Sequence, residues 1–147
     1  MKMILAIDPG EHAGWAVTDN YGNHLTSGIV AGDNVHACHH IIKSHMPDKI
    51  VIEDQFPGKA SAKGLKTLIR RATIWEVLAA VDGIEVLPYV NPSTWQAYHK
   101  IKGKGVARKN AIIKWASMII GKSTQPDESD AILIGIWQVA QLSNISP

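Results

Sequence analysis

The order of apolar runs and turn signals predicts an α/β fold in which one mixed β-sheet is flanked by α-helices. Three observations carry this. Met3-Ile4-Leu5-Ala6-Ile7 and Lys49-Ile50-Val51-Ile52 are short apolar runs of strand length, each closed by an acid. Longer stretches place apolar residues every three or four positions, as helices with one buried face do. The two kinds of segment follow the order strand, strand, strand, helix, strand, helix, strand, helices, with no linker, repeat or low-complexity tract. A single domain over 1–147 is expected.

The elements are justified in turn. Met3 to Asp8 is the first strand. Ala13 to Asp19 and Asn23 to Val30 form a hairpin across the Tyr21-Gly22-Asn23 turn. A helix from a cap at Asp33 or Asn34 to about His45 stops before Pro47. Lys49 to Glu53 is the next strand. After Pro57-Gly58, a helix from about Ala60 to Val81 has Leu65, Leu68, Ile69, Ala72 and Ala79 as its apolar stripe. Lys59, Lys63, Lys66 and Arg70 fall on its opposite face. Asp82-Gly83 ends it, and Ile84 to Leu87 is the last strand. Asn91-Pro92 supplies a cap and a first-turn proline for a short helix to about His99. Lys100 to Gly105 is a basic loop, and helices over about Val106 to Ile120 and Asp127 to Leu142 complete the chain.

Composition narrows the class. With 147 residues there is enough chain for a hydrophobic core. No apolar run reaches the roughly 18 residues of a membrane span, no leader pattern is visible, and the lone Cys38 leaves no internal disulfide framework. A cytoplasmic protein without membrane association is expected. Net charge is only +2, but the basic residues are segregated. No acid occurs between Glu85 and Asp127, an interval carrying Lys100, Lys102, Lys104, Arg108, Lys109, Lys114 and Lys122. Another acid-free interval, from Asp54 to Glu76, carries Lys59, Lys63, Lys66, Arg70 and Arg71. Twelve of the fifteen basic residues lie in these two windows, an arrangement suited to a polyanion.

Four acids stand out against this background. Asp8 and Glu53 close apolar strands, where the interior gives way to solvent. Asp127 and Asp130 are three apart at the start of an apolar helix, so both can point into one space. Carboxylates brought together repel one another unless a cation intervenes, and an all-oxygen ligand set favours Mg²⁺ or Mn²⁺ over zinc. Taken singly, each has a plainer reading: Asp-Pro-Gly is common turn chemistry, and acids suit a helix N-terminus. The combination points to metal-dependent phosphodiester hydrolysis.

Other patterns carry less. His36, Cys38, His39 and His40 lack a second ligand pair for zinc. Gly121-Lys122-Ser123-Thr124 ends like a phosphate-binding loop, but Ala116 occupies the position of its first glycine, and no nucleotide cofactor is expected. Trp115 and Trp137 sit in apolar helical patterns, as core or as contacts between protomers. Trp75 and Trp95 receive no role.

Three segments together resemble the RuvC-type Holliday junction resolvases of the ribonuclease H-like superfamily: Ile4-Leu5-Ala6-Ile7-Asp8-Pro9-Gly10 with Gly14, Val51-Ile52-Glu53-Asp54-Gln55-Phe56, and Asp127-Glu128-Ser129-Asp130-Ala131. The stretch from Pro92-Ser93 through Gly103-Lys104-Gly105 to Ala107-Arg108-Lys109 resembles that family's basic segment. The resemblance implies a ribonuclease H-like mixed sheet with flanking helices. It also implies a junction endonuclease that makes paired symmetric nicks and leaves 5′-phosphate and 3′-hydroxyl ends. It implies two Mg²⁺ ions, replaceable by Mn²⁺, on Asp8, Glu53, Asp127 and Asp130, with Lys109 near the scissile phosphate. Phe56 would stack on an exposed base, and Lys59, Lys63, Lys66, Arg70, Lys100, Lys102, Lys104 and Arg108 would bind the arms of branched DNA. A homodimer would supply two sites across a two-fold axis. Tyr98 falls near the family's second lysine, with Lys100 or Lys102 as its replacement. Glu11 stands where the family often has a small hydroxyl residue, and Asp54 adds a charge beside Glu53. The chain is shorter than cellular members, as a phage-type relative would be. A broader nuclease of flaps, forks or RNA and a catalytically silent branch-binding protein are the competing readings. A duplicated actin-like phosphotransferase would need far more chain.

Overall fold

The computed structural model describes residues 2–54 and 61–145. Within them, β1 (Met3–Asp8), β2 (His12–Asp19), β3 (His24–Ala31), β4 (Lys49–Ile52) and β5 (Glu85–Val86) form one sheet in the order β3-β2-β1-β4-β5. β1 pairs antiparallel with β2 and parallel with β4, and β4 is parallel to β5, so the sheet is mixed. The helices are α1 (Val35–His45), α2 (Ala62–Val81), α3 (Pro92–Tyr98), α4 (Gly105–Ile120) and α5 (Pro126–Ile145). The element order and class are those expected from the sequence. Ends differ by a residue or two at most places, and the last strand shrinks to Glu85–Val86.

The unbroken apolar character of β1 and β4 follows from burial on both faces. Along β1, Ile4 and Ala6 join Val51, Trp95, Ile112, Ala116 and residues 131–134 in the core beneath α3, α4 and α5. Leu5 and Ile7 join Ile42, Ile50, Ile52, Ala72, Trp75 and Ala79 beneath α1 and α2. Side chains alternate across a strand. Asp8 therefore shares the face of Ile4 and Ala6, and Glu53 shares that of Val51. Strand parity alone directs both acids toward α5.

The caps explain where the helices begin. Asn34 Oδ1 accepts from Ala37 N at 3.0 Å, and Ser61 Oγ accepts from Gly64 N at 3.1 Å. Expected contributors Phe56 and Lys59 lie outside the described residues. The apolar stripe of α2 needs correction. Ala72, Trp75 and Ala79 are buried, whereas Ile69 is 52% exposed. Six residues on a helix are about 240° apart, so Trp75 and Ile69 cannot both face the sheet. The larger indole removes more apolar area from water and takes the inward position.

α5 rests directly on β2. A Cβ at Gly14 would stand 1.8 Å from the Asp127 carbonyl oxygen, and one at Gly135 would stand 2.6 Å from Thr18 Oγ1. Only glycine leaves room at these crossings. The first turn of α5 is then locked from its other side. Glu128 Oε1 accepts from Gln125 N at 3.1 Å, reaching back in the manner of a capping box. Its Oε2 accepts from Ser27 Oγ on β3 at 2.7 Å. Glu128 is thereby turned toward the sheet, while Asp127 and Asp130 are left to face β1. Trp115, expected in the core or at a protomer contact, is 41% exposed and so is not a core residue. No helix among the described residues is long and apolar enough to cross a membrane.

Candidate functional site

The end of β1 and the first turn of α5 bring three of the four expected acids together. Ligand-type oxygens of Asp8, Asp127 and Asp130 all lie within 4.8 Å of one another. Asp8 is buried, and the other two are partly buried. Glu53 sits beside them, held in line by a bridge between its own backbone and Val90 beyond β5. It shares a side-chain hydrogen bond with Asp8 and feels the charge of Asp130.

These carboxyls repel one another in a poorly solvated place. Burial first, then Glu53 and Asp130, hold Asp8 well above the ordinary carboxylate range. Burial, then the charge of Asp130, pushes Glu53 up to about 7. Asp130 rises to about 6, chiefly through burial, with Lys109 acting in the opposite direction. Asp8 approaches both Asp130 and Glu53 closely enough for each to raise or lower the others' ionisation. Buried oxygen ligands that repel one another when ionised fit a divalent cation, which would relieve that repulsion. Asp8, Asp127 and Asp130 are positioned to hold one, with Glu53 at its edge.

One member of this site escaped the sequence reading. Trp95, fully buried on α3, donates its Nε1–H to Glu53 Oε2 at 2.7 Å. The bond fixes one oxygen of Glu53 and favours its ionised form. Its signal in the sequence was slight: a buried indole N–H needs an acceptor, and Trp95 is four residues past the Asn91 cap.

The basic residues are distributed as follows. Lys109, near the start of α4, bears on Asp130, and a cleft of about 230 Å³ beside that acid is lined by Gly105, Arg108, Lys109, Ile112 and Pro126. Arg108 Nε also donates to the Gly103 carbonyl at 3.0 Å, which ties the basic loop to the helix. Lys63, Lys66, Lys100, Lys102 and Lys104 are exposed. Arg70 is exposed but ion-paired with Asp33 at 3.3 Å, and Arg71 pairs with the same acid at 2.9 Å. Glu11 is exposed, and its charge reaches Arg71. The His36–His40 segment forms no metal cluster among the described residues: Cys38 is buried, and His39 bonds Asp82 at 2.8 Å.

Two outcomes follow from this geometry. The folded chain holds protons on Asp8, Glu53 and Asp130 more tightly than the unfolded chain does. That stabilisation is complete below the unfolded carboxylate value of about 4 and is lost as pH rises through about 6 and 7. In EDTA, the melting temperature should fall between about pH 5 and pH 8, and Mn²⁺ should raise it more at the upper end. A flat or rising profile in EDTA would contradict the burial of these acids. Separately, Trp95→Phe keeps an aromatic ring, at the cost of a small cavity, and removes the donor to Glu53. It should weaken Mn²⁺ binding by about 10-fold in calorimetric titration with the far-UV spectrum unchanged; undiminished affinity would release Trp95 from this role.

No family model matches the chain. It is 28% identical to the crossover junction endodeoxyribonuclease RuvC of Oleidesulfovibrio alaskensis, in an alignment covering 90% of this chain and 87% of that protein. Among solved structures, Thermus thermophilus RuvC in complex with a Holliday junction substrate superposes with a TM-score of 0.74 at 18% identity, covering 97% of this chain and 96% of that one. The fowlpox virus Holliday junction resolvase superposes with a TM-score of 0.63 at 17% identity, covering 95% and 99%. The mixed five-stranded sheet and five flanking helices among the described residues give the chain the ribonuclease H-like fold that these structures share.

Proposed function

We propose that this chain is a metal-dependent, structure-selective DNA endonuclease, a crossover junction endodeoxyribonuclease that resolves four-way junctions by paired symmetric nicks. The observation that carries the reading is the cluster of Asp8, Asp127 and Asp130, with oxygens within 4.8 Å of one another at the end of the central strand. The likeness to RuvC in sequence and to junction resolvases in fold supports the choice of substrate.

Asp8, Asp127 and Asp130, with Glu53 beside them, are the residues that would hold Mg²⁺, and Mn²⁺ offers the same charge and donor preference. A divalent cation there supplies Lewis-acid charge to the phosphate and to the attacking water. Without a counter-charge, four carboxyls would repel a phosphodiester. A bound divalent cation would offset that charge and give the phosphate a Lewis-acidic contact. Trp95 keeps Glu53 from turning away. Lys109, already close enough to Asp130 to influence its ionisation, stands where it can stabilise charge developing on the phosphate. Lys63, Lys66, Lys100, Lys102, Lys104 and Arg108 would hold the arms through their phosphates, positioning without reading sequence. Phe56 and Lys59 keep the roles implied by the family resemblance, stacking on a base and holding phosphate. Hydrolysis leaves a 5′-phosphate and a 3′-hydroxyl.

Paired nicks need two sites related by a two-fold axis. The second copy is assigned to α2, where Ile69 and Val77, each 52% exposed, join Val35, Thr73 and Ile74 around a shallow depression, with Lys66 and Arg70 at its rim where an arm would run beside the dimer contact. Ile69→Asp with Val77→Asp should convert a dimer to a monomer in sedimentation velocity and abolish paired cutting. A wild-type chain that sediments as a monomer at all concentrations would remove the dimer.

Activity is tested on a labelled four-way junction with Mg²⁺, Mn²⁺ or EDTA, beside a flap, a fork and plain duplex. Metal-dependent nicks at symmetric positions in opposite strands are expected. Asp8→Asn should lower the cleavage rate by at least about 100-fold, in the range of losing a charge-stabilising group from an active site, and should leave junction binding intact. Equal cutting of flaps and forks would remove the junction selectivity, and wild-type cutting by Asp8→Asn would remove the metal assignment.

A further inference from the structure

Away from the acids, α3 and α4 leave an open groove of about 850 Å³ over α5. Ile101, Ile119 and Ile136 give it an apolar floor, and Lys100 and Lys102 stand on its wall. Two aromatic rings line it and remain open to solvent, Tyr98 at 47% and Trp115 at 41% exposure. The Trp115 ring is anchored there. Its Nε1–H donates to His99 Nδ1 at 3.2 Å, and His99 Nε2–H donates to the Leu133 carbonyl at 2.8 Å. An indole N–H can only donate and a carbonyl can only accept, so His99 is neutral with its proton on Nε2. Through Leu133 the ring is tied to α5, the helix whose first turn carries Asp127 and Asp130.

The charge around the groove has one sign. No acid occurs between Glu85 and Asp127, the interval that contributes α3, the basic loop and α4. Arg108 and Lys109, on the same helix α4, line a separate cleft beside Asp130. Open aromatic faces, an apolar floor and flanking ammonium groups suit a base and its phosphates. An acidic peptide would also meet the lysines, but it would make no particular use of two exposed rings.

We propose that this groove binds an unpaired nucleotide of single-stranded DNA, with the base against Tyr98 and Trp115 and the backbone phosphates at Lys100 and Lys102. The inference rests on the reading of the chain as a nuclease of branched DNA, and it adds a place for bases that come unpaired where arms meet.

The test is fluorescence anisotropy in EDTA, where cleavage plays no part, so a chain that fails to cut can still pass. The probes are a fluorescein-labelled oligothymidine 12-mer, an abasic phosphodiester of the same length, and a fully paired duplex. Trp115→Leu and Tyr98→Leu should each weaken oligothymidine binding by about 5- to 10-fold, the low end for losing one stacked base, while changing the other two probes less than about 2-fold. Trp115→Phe keeps a ring without the bond to His99 and should retain most of the affinity, which separates stacking from a general loss of fold. Thermal melts of all three variants serve as the folding control. Equal weakening on the abasic probe, or no weakening on oligothymidine, would overturn the proposal in favour of a simple cationic surface. A change of sedimenting mass in Trp115→Leu would overturn it in favour of a contact between copies of this chain.

Discussion

Like charges buried beside one another are the constraint around which the molecule is arranged. Asp8 stands at the end of a strand whose other residues are almost entirely removed from water, and Glu53 ends its parallel neighbour. Neither position solvates a carboxylate well, and placing Asp127 and Asp130 opposite them makes ionisation harder still. Such a group is stable only with protons or with a cation. The fold accepts that cost at one place and spends several devices on maintaining it. The glycines at 14 and 135 let α5 approach the sheet, Glu128 braces its first turn against β3, and Trp95 holds an oxygen of Glu53. None of these devices would be needed by a sheet that merely packed against a helix.

The same logic explains the separation of charge over the surface. Acids that face the cluster would raise its self-repulsion, and acids on the surrounding surface would repel a polyanion before it reached the site. Asp33 is instead ion-paired with Arg70 and Arg71 of α2. The α3–α4 region carries only cations. Lys109 marks the junction of the two regimes, lying close enough to Asp130 to favour its ionised form while belonging to the basic surface. A phosphate arriving along α4 therefore meets positive charge at each step up to the loaded acids.

Several residues had readings that the packed molecule changed. Ile69 belonged to the expected buried stripe of α2, yet it is exposed, because Trp75 occupies the inward position. Arg70, expected among the phosphate-binding residues, gains an exposed ion pair with Asp33, 37 residues away, that its own segment does not announce. Trp115 belonged to an apolar helical pattern and opens to solvent in a groove. The Arg70 and Trp115 contacts reach residues distant in sequence, and the choice of Trp75 over Ile69 is made by the sheet against which α2 packs. Periodicity reports only how a helix is divided into faces, and it cannot choose between two similar faces when the competing surfaces lie elsewhere in the chain.

The sequence by itself determined the element order, the mixed sheet and the direction of the two strand-borne acids. Each of these follows from local rules: run length and β-branched content for strands, caps and prolines for helix ends, and strict alternation for the face on which Asp8 and Glu53 lie. It also determined that Asp127 and Asp130 share a helical face, since residues three apart must do so. Only the tertiary structure decided that β1 and α5 meet closely enough to bring Asp8, Asp127 and Asp130 within 4.8 Å. It alone decided that Trp95 bonds Glu53, that Glu128 leaves the cluster for Ser27, and that His99 fixes the Trp115 ring. Those contacts join residues that are 16 to 101 positions apart. They depend on how closely one element can approach another, which is set by the summed shape of all the side chains between them and not by any one segment's pattern.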